Sequence, residues 1–289
     1  MEDQLTAFLH FLAHERNYSD NTIAAYRNDL GQFLSWLEAQ SFDVGSWANI
    51  TDEHVEDYAS HLRQQSYTAS SVARKVAAIK SFFHYLLARG RISDDPTVDL
   101  DSPKVKKRLP KTLSLDEIER LLAAPFQRQS PKNLRDAALL YVLYTTGMRV
   151  TEAVSLTLDD VDLESGTLDC EGKDGQVREL PIDDTTRQVL AEYLESGRPH
   201  LVKDKDETAL FLNHRGQQLT RQGLWLIIKS YANQADLGDK VTPHTLRHSF
   251  AAHQLDSGTE LREVQHLLGH ANISTTQIYS HLVEDSDRD

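Results

Sequence analysis

The residue types best suited to catalysis lie near the end of the chain. His244 and Arg247 are three positions apart, so a helix would bring both side chains to one face. Gly269 is typical of a helix end, which would leave His270 at the edge of the same site. Tyr279 follows nine residues later. A phenolic hydroxyl beside imidazoles and a guanidinium suits nucleophilic chemistry on a phosphodiester, because the phenol needs cationic neighbours or a base to react near neutral pH.

Two further cations precede this group in the chain. Arg149 stands three positions before Glu152 at the start of a predicted helix, and Lys173 lies in a Lys-Asp-Gly turn. Taken alone, Arg149 and Glu152 indicate a surface ion pair, and Lys173 indicates an ordinary turn residue. His244 and His248 are spaced like a metal-binding pair, but the glutamate of the H-E-x-x-H pattern is absent and no third ligand is evident. We therefore predict no metal site and assign His248 to packing or to the surface.

Composition limits the classes of protein to consider. The 289 residues are 39% apolar and 26% charged, as in a soluble globular protein with room for two domains. No apolar run approaches the roughly 20 residues of a membrane span, and the N-terminus lacks a signal-peptide pattern. A single cysteine excludes an internal disulfide and fits a reducing compartment, so we expect a cytoplasmic protein. The net charge of −13 lowers the expectation of a nucleic-acid partner without excluding one, because binding depends on where the positive charges lie.

The N-terminal part, residues 1–92, is predicted to be a bundle of four amphipathic helices. Their apolar side chains recur at helical spacing, and Ser19 and Thr51 are suitable N-caps of the second and third helices. The polar side of the fourth helix collects hydroxyls and cations, which either form a solvated face or bind phosphate near the helix N-terminus. The candidate DNA-binding residues on this helix are Thr68, Ser70, Ser71, Arg74, Lys75 and Lys80.

Residues 93–112 are predicted to be a linker, because they have no helical period and contain several prolines. Their basic run of Lys104, Lys106, Lys107 and Arg108 suits contact with a nucleic-acid backbone. Residues 113–289 then form a second domain, mostly helical with a small antiparallel sheet. Strands are predicted at 166–170 and 176–181, and helices at 114–122, 136–145, 184–195, 220–235, 243–256, 259–268 and 273–283.

Five segments together resemble the tyrosine site-specific recombinases of the phage integrase family, and most closely the Xer recombinases. The segments are Thr146-Gly147-Met148-Arg149-Val150-Thr151-Glu152, Gly172-Lys173-Asp174-Gly175, His244-Thr245-Leu246-Arg247-His248-Ser249-Phe250, Leu267-Leu268-Gly269-His270 and Ile278-Tyr279-Ser280-His281. Each segment alone is a weak match, but five in the right order, spread along the chain, are a strong one. The N-terminal bundle and the linker are also similar to the core-binding domain of that family.

The resemblance implies a role for each catalytic candidate. Tyr279 would attack a phosphodiester and form a 3′-phosphotyrosine, without any cofactor. Arg149 and Arg247 would stabilise the charge of the transition state, since each presents a planar fork to the phosphate oxygens. Lys173 would be the general acid for the leaving 5′-oxygen. His244 and His270 would position the phosphate, and His244 is the better candidate for proton transfer with Tyr279. Glu152 would have a structural role.

The implied partner is duplex DNA, clamped between the two domains. Four protomers, identical or paired with a paralogue, would assemble on two recombination sites. The process would be chromosome dimer resolution or the integration and excision of mobile DNA. Two alternatives stay open at this point, a nicking-closing enzyme similar to type IB topoisomerases and a DNA-binding relative without catalysis.

Overall fold

The computed structural model describes residues 1–40, 42, 45–103, 110–172, 175–270 and 272–279. The chain divides into two compact units, Met1–Lys107 and Arg108–Asp289. The predicted linker, residues 93–112, spans this division, and its extent stays a prediction. Among the described residues, no helix combines the length and the apolarity that a membrane span requires.

The first unit contains the four predicted helices. They are α1 Glu2–His14, α2 Asp20–Ala39, α3 Asp52–Gln64 and α4 Ala69–Ala88. Polar caps fix where the last three begin: the hydroxyls of Ser19, Thr51 and Thr68 each accept a hydrogen bond from a backbone N–H in the first turn of the following helix. The bundle closes over a core that includes Phe33, and the chain stays attached to that core beyond α4, since Leu100 is buried against it.

One feature of this core was not predicted. A short 3₁₀ turn, Trp47–Asn49, inserts the Trp47 side chain between α2 and α4, where it packs on Phe33, Phe82 and Phe83. The indole Nε1 donates to the carbonyl of Met1 at 2.9 Å. The polar edge of the ring is therefore satisfied while its apolar faces are buried.

The second unit holds eight helices among its described residues, with one small sheet. The helices are α5 Leu115–Ala123, α6 Pro131–Thr146, α7 Val150–Ser155, α8 Asp184–Glu192, α9 Arg198–Leu201, α10 Arg221–Gln234, α11 Pro243–Asp256 and α12 Leu261–Leu268. The strands are β1 Val161–Asp162, β2 Thr167–Glu171 and β3 Val177–Pro181, antiparallel in the order β1-β2-β3. The predicted hairpin is confirmed, whereas the two-residue strand β1 is too short to leave a sequence pattern.

Helix α6 is the centre of this unit. It begins at Pro131, five residues before the predicted start, because Ser130 caps it and proline suits the first helical position. Its middle turns are buried on every side, so no amphipathic stripe marks the helix in the sequence. It ends at Gly147, whose left-handed φ of +59° lets the chain turn directly into α7.

Candidate active site

Helix α11 places three of the polar side chains. The Thr242 hydroxyl caps the helix by accepting from the Thr245 N–H at 3.0 Å, and Pro243 opens the first turn. His244, Arg247 and His248 therefore share one face of the helix. Arg247 is 7% exposed, His248 is half-buried and His244 is exposed.

A second cluster forms around one carboxylate. Glu152 on α7 accepts from Arg149 Nη1 at 2.8 Å and from the Arg149 backbone N–H at 2.6 Å. It also accepts two hydrogen bonds from Arg178 on β3, at 2.8 and 3.2 Å. Burial alone would raise the pKa of Glu152, but these charged donors outweigh it and lower that pKa to about 2. The carboxylate is therefore ionised at any working pH and holds two guanidiniums.

The C-terminus of α12 holds the arginines from the other side. Three successive backbone carbonyls accept from three guanidiniums: Leu267 from Arg178 Nε at 2.9 Å, Leu268 from Arg247 Nη2, and Gly269 from Arg149 Nη2 at 2.9 Å. The last carbonyls of a helix have no partner within it and carry partial negative charge. The Leu-Leu-Gly-His segment thus ends a helix where its free carbonyls meet the cations of three other elements.

Gly269 is required at this point for two reasons. Its φ of +60° is left-handed, and a Cβ there would lie 3.1 Å from Arg178 Cζ. His270 follows, and its Nδ1 lies 2.9 Å from Thr276 Oγ1. Burial, and then the charges of Arg247 and Arg149, lower the pKa of His270 to about 4, so the ring is neutral near pH 7.

Tyr279 lies against this cluster. Its side chain is 1% exposed and packs with apolar residues of α11 and α12, including Phe250 and Leu268. Its hydroxyl is 2.7 Å from His248 Nδ1. Burial raises the pKa of Tyr279, and the nearby charge of Arg247 opposes that rise.

The site carries an excess of positive charge. Burial, and then repulsion from Arg149, lower the pKa of Arg247 to about 10, which leaves it charged at neutral pH. Arg149, Arg178 and Arg247 thus surround a single carboxylate. Arg149 is the most open of the three, with 41% of its side chain exposed. Such a cluster attracts an anion with several oxygens, and a phosphodiester is one.

Comparison with known proteins agrees with this arrangement. The family model described as "Phage integrase family" matches residues 111–285, and "Phage integrase, N-terminal SAM-like domain" matches residues 5–90. The chain belongs to the phage integrase family. It is a tyrosine recombinase close to the Xer recombinases, and therefore an enzyme that cleaves and rejoins DNA.

Named relatives match over nearly their whole length. The chain is 48% identical to a protein named tyrosine recombinase XerC of Roseiflexus sp. (strain RS-1), over 98% of this chain and 90% of that one. It is 45% identical to a tyrosine recombinase XerD of Halalkalibacterium halodurans, over 100% of this chain and 96% of that one. Among solved structures, XerH bound to a palindromic difH substrate in a post-cleavage complex matches with a TM-score of 0.77 at 25% identity, over 94% of this chain and 79% of that one.

The structure brings together most of the catalytic residues proposed for this recombinase. Arg149 pairs with Glu152, and Arg149 and Arg247 both donate to the C-terminus of α12, directly before His270. The charge of Arg247 reaches Tyr279, and His244 lies at the exposed start of α11. Lys173 lies outside the described residues, as do Lys104, Lys106, Lys107 and Arg108. Among the described residues, no group of three or more His, Cys, Asp or Glu side chains is placed to hold a metal ion.

Two residues of the site were missed from the sequence. Arg178 stands in a strand whose alternating burial turns it inward, opposite Cys170, and this alternation was the available signal. His248 was assigned to packing or to the surface, yet its ring contacts the Tyr279 hydroxyl. The sequence shows that His248 lies one helical turn after His244, but it does not show that His248 meets Tyr279.

The fourth helix of the first unit requires one correction. Lys75 is not on its polar side: it is 2% exposed, and its Nζ donates to Asp29 at 2.9 Å and also to Gln32. Arg74, half exposed, also donates to Asp29. Lys75 is thus an internal partner of Asp29, because an ammonium buried this deeply requires a paired carboxylate. The Thr68 hydroxyl caps the helix beside Ser71.

Proposed function

We propose that Tyr279 is the nucleophile of the recombinase. The observation that carries the proposal is the position of Tyr279: its hydroxyl contacts His248 at 2.7 Å, and it lies within the electrostatic reach of Arg247, one of three guanidiniums clustered around one carboxylate. A tyrosine that stabilised only the core would have no need of this charge. A nucleophile needs it, because the pentavalent phosphate it creates is more negative than the substrate.

The reaction divides among the site residues as follows. Tyr279 Oη forms a bond to phosphorus while the bond from phosphorus to the 5′-oxygen breaks, leaving a 3′-phosphotyrosine. Arg149 and Arg247 bind the non-bridging oxygens, and Lys173 gives a proton to the leaving 5′-oxygen. His244 and His270 position the phosphate. The energy of the broken bond is kept in the protein–DNA link, so rejoining needs no nucleotide cofactor.

We propose further that the partner is duplex DNA bound by both domains, with four protomers on two recombination sites. The XerH structure named above contains its difH substrate, which supports a DNA site for this chain as well. In the first unit, Arg74 and the N-terminus of α4 suit contact with phosphate, because the helix that begins at Ala69 also carries this half-exposed guanidinium. The named relatives are recombinases, which favours strand exchange over the topoisomerase-like alternative.

The test replaces Tyr279 with phenylalanine. We expect Tyr279→Phe to bind site DNA like the wild type and to form no covalent adduct on a nicked suicide substrate, measured by denaturing electrophoresis. Tyr141→Phe is the matched control: this partly buried tyrosine of the same domain packs against Phe126, and its replacement should leave adduct formation unchanged. An adduct formed by Tyr279→Phe would place the nucleophile elsewhere.

A further inference from the structure

His248 is the residue in direct contact with the nucleophile. Its Nδ1 lies 2.7 Å from Tyr279 Oη, within hydrogen-bond distance of the atom that would attack phosphorus. It follows Arg247 on α11, so the helix that binds the phosphate also carries this imidazole. His244, the residue favoured from the sequence for proton transfer, lies one turn earlier and is exposed, with its ring centroid 6.4 Å from that of His248.

The surroundings keep the imidazole neutral and the phenol protonated. Burial, and then the charges of His244 and Arg247, lower the pKa of His248 below its usual 6.5. From the other elements, Tyr279 contacts its ring directly, and His270 lies close enough to interact with it electrostatically. Burial raises the pKa of Tyr279. Near pH 7 the phenol must therefore lose a proton when it attacks, and the Nε2–H tautomer of a neutral imidazole would present its Nδ1 lone pair at the required distance.

We propose that His248 is a catalytic base and acid for Tyr279, an inference that rests on Tyr279 being the nucleophile. In cleavage, the proton of Tyr279 Oη passes to His248 Nδ1 as Oη bonds to phosphorus and the bond to the 5′-oxygen breaks. In rejoining, a 5′-hydroxyl attacks phosphorus, the bond from phosphorus to Oη breaks, and His248 returns the proton to Oη. The protons balance on the other side of the phosphate. The 5′-oxygen gains a proton when it leaves in cleavage, and it loses that proton when it attacks in rejoining.

The competing explanation is that the hydrogen bond only holds the ring of Tyr279 in place. Glutamine separates the two, because its side-chain oxygen accepts a hydrogen bond but does not take up a proton near pH 7. A holding role survives His248→Gln, whereas a proton-transfer role does not. Their pH profiles differ as well, since a base stops working once it is protonated.

The experiment measures single-turnover adduct formation on a nicked suicide substrate from pH 5 to pH 9. We expect the wild-type rate to fall as the pH drops through the lowered pKa of His248, because the protonated ring accepts no proton. His248→Gln and His248→Ala should bind DNA normally, form adduct about 10²–10⁴-fold more slowly, and lose this acidic fall. Added imidazole should partly restore His248→Ala. His244→Gln and His270→Gln, whatever their rates, should keep the acidic fall.

Three results would overturn the proposal. If His248→Gln cleaved with the rate and pH profile of the wild type, the hydrogen bond would only hold the tyrosine ring in place. If His248→Ala cleaved faster than the wild type, the hydrogen bond would restrain Tyr279 and slow its attack. If neither variant folds, a wild-type rate that shows no acidic fall down to the lowest pH at which the protein stays folded would also overturn it. Failure of the proposed function is distinct, because wild-type protein would then form no adduct at Tyr279 at any pH.

Discussion

Glu152 organises two arginines with one side chain. It accepts from Arg149 and Arg178, which approach from α7 and β3, and it is only 6% exposed. Removing its charge would leave two guanidiniums repelling each other and Arg247 without an intervening anion. A buried pair of this kind is costly to break from one side, by about 3–5 kcal/mol in general. Glu152 therefore holds Arg149 and Arg178 at a fixed spacing in this cluster.

Glu152→Gln tests this role through stability as well as activity. The pKa is 4.5 in the unfolded chain and about 2 in the fold, so the unfolded state binds more protons between these values. The carboxylate therefore stabilises the fold above pH 4.5, and this contribution is lost as the pH falls from 4.5 to 2. We expect Glu152→Gln to lower the free energy of unfolding at pH 7 by about 2–3 kcal/mol, to lack this acid-dependent loss, and to form adduct poorly.

The control is Glu192→Gln, an exposed glutamate at the end of α8, which should change neither quantity. The measurements are urea unfolding at several pH values and adduct formation on the nicked substrate. If Glu152→Gln unfolded like the wild type at pH 7, the carboxylate would not be holding the arginines.

Residue types and spacing indicate which side chains could do chemistry better than they indicate which side chains meet. Arg149, Arg247, His270 and Tyr279 were proposed as catalytic from the sequence because each has a type that phosphate chemistry needs. Arg178, His248 and Lys75 were missed or misplaced because their roles depend on neighbours distant in the chain: Glu152, Tyr279 and Asp29 respectively. Periodicity gives the face of an element, but it does not give the residue on the opposing element.

At the scale of elements, the turn between α6 and α7 joins the core to the site. Arg247 Nη1 donates to the Gly147 carbonyl at 2.6 Å, so the end of the central helix holds an arginine proposed to bind the phosphate. The same glycine is closely covered: a Cβ there would lie 2.3 Å from Phe250 Cδ1 and 3.0 Å from Leu268 Cδ2. Those residues pack against Tyr279 as well. A shift at this turn would therefore reach both the arginine and the nucleophile.

Gly147→Ala should separate backbone strain from this close packing when it is compared with Gly90→Ala. Both glycines have left-handed φ, +59° and +62°, but a Cβ at Gly90 meets no atom within 4 Å. We expect Gly90→Ala to cost about 1 kcal/mol of stability from strain alone and to leave cleavage unchanged. Gly147→Ala should cost about 2–4 kcal/mol, because overpacking adds to the strain, and should reduce adduct formation. Equal losses in the two variants, measured by urea unfolding, would mean that Phe250 moves aside freely.

Elements with clear signals were predicted well, and those without them were not. The caps at Ser19 and Thr51 and the glycine end at Gly269 all stand where the sequence placed them. The start of the buried helix α6 was predicted five residues too late, because a helix that is buried on all sides shows no amphipathic stripe in the sequence. Beyond Glu192 the predicted helix continues as a π turn, Tyr193–Gly197, in which Tyr193 is buried against Phe211. That contact lies eighteen residues away in sequence, beyond the reach of a local pattern.

At the scale of the whole molecule, a net charge of −13 has to be reconciled with a polyanionic partner. Binding depends on the cationic side chains that contact the phosphates, because these release counterions from the DNA. The repulsion from distant acidic residues is screened within about 10 Å at 0.1 M salt. The predicted contact surface of the first unit contains Arg74 and Lys80, but no longer Lys75. Removing Lys75 would leave Asp29 buried without its ammonium, and the loss of the fold would obscure any effect on binding.

The salt dependence of DNA binding tests this surface with the fold intact. Arg74→Ala with Lys80→Ala removes two cations while Lys75 still pairs with Asp29. Each phosphate contact contributes roughly −0.9 to the slope of log K against log salt concentration, so the double variant should flatten that slope by up to about 1.8. Arg63→Ala with Lys205→Ala changes the net charge equally at two exposed cations outside the predicted surface, and its slope should equal that of the wild type. Equal changes in both double variants would show that total charge controls binding; an unchanged slope in the first would place the contacts of this domain on another face.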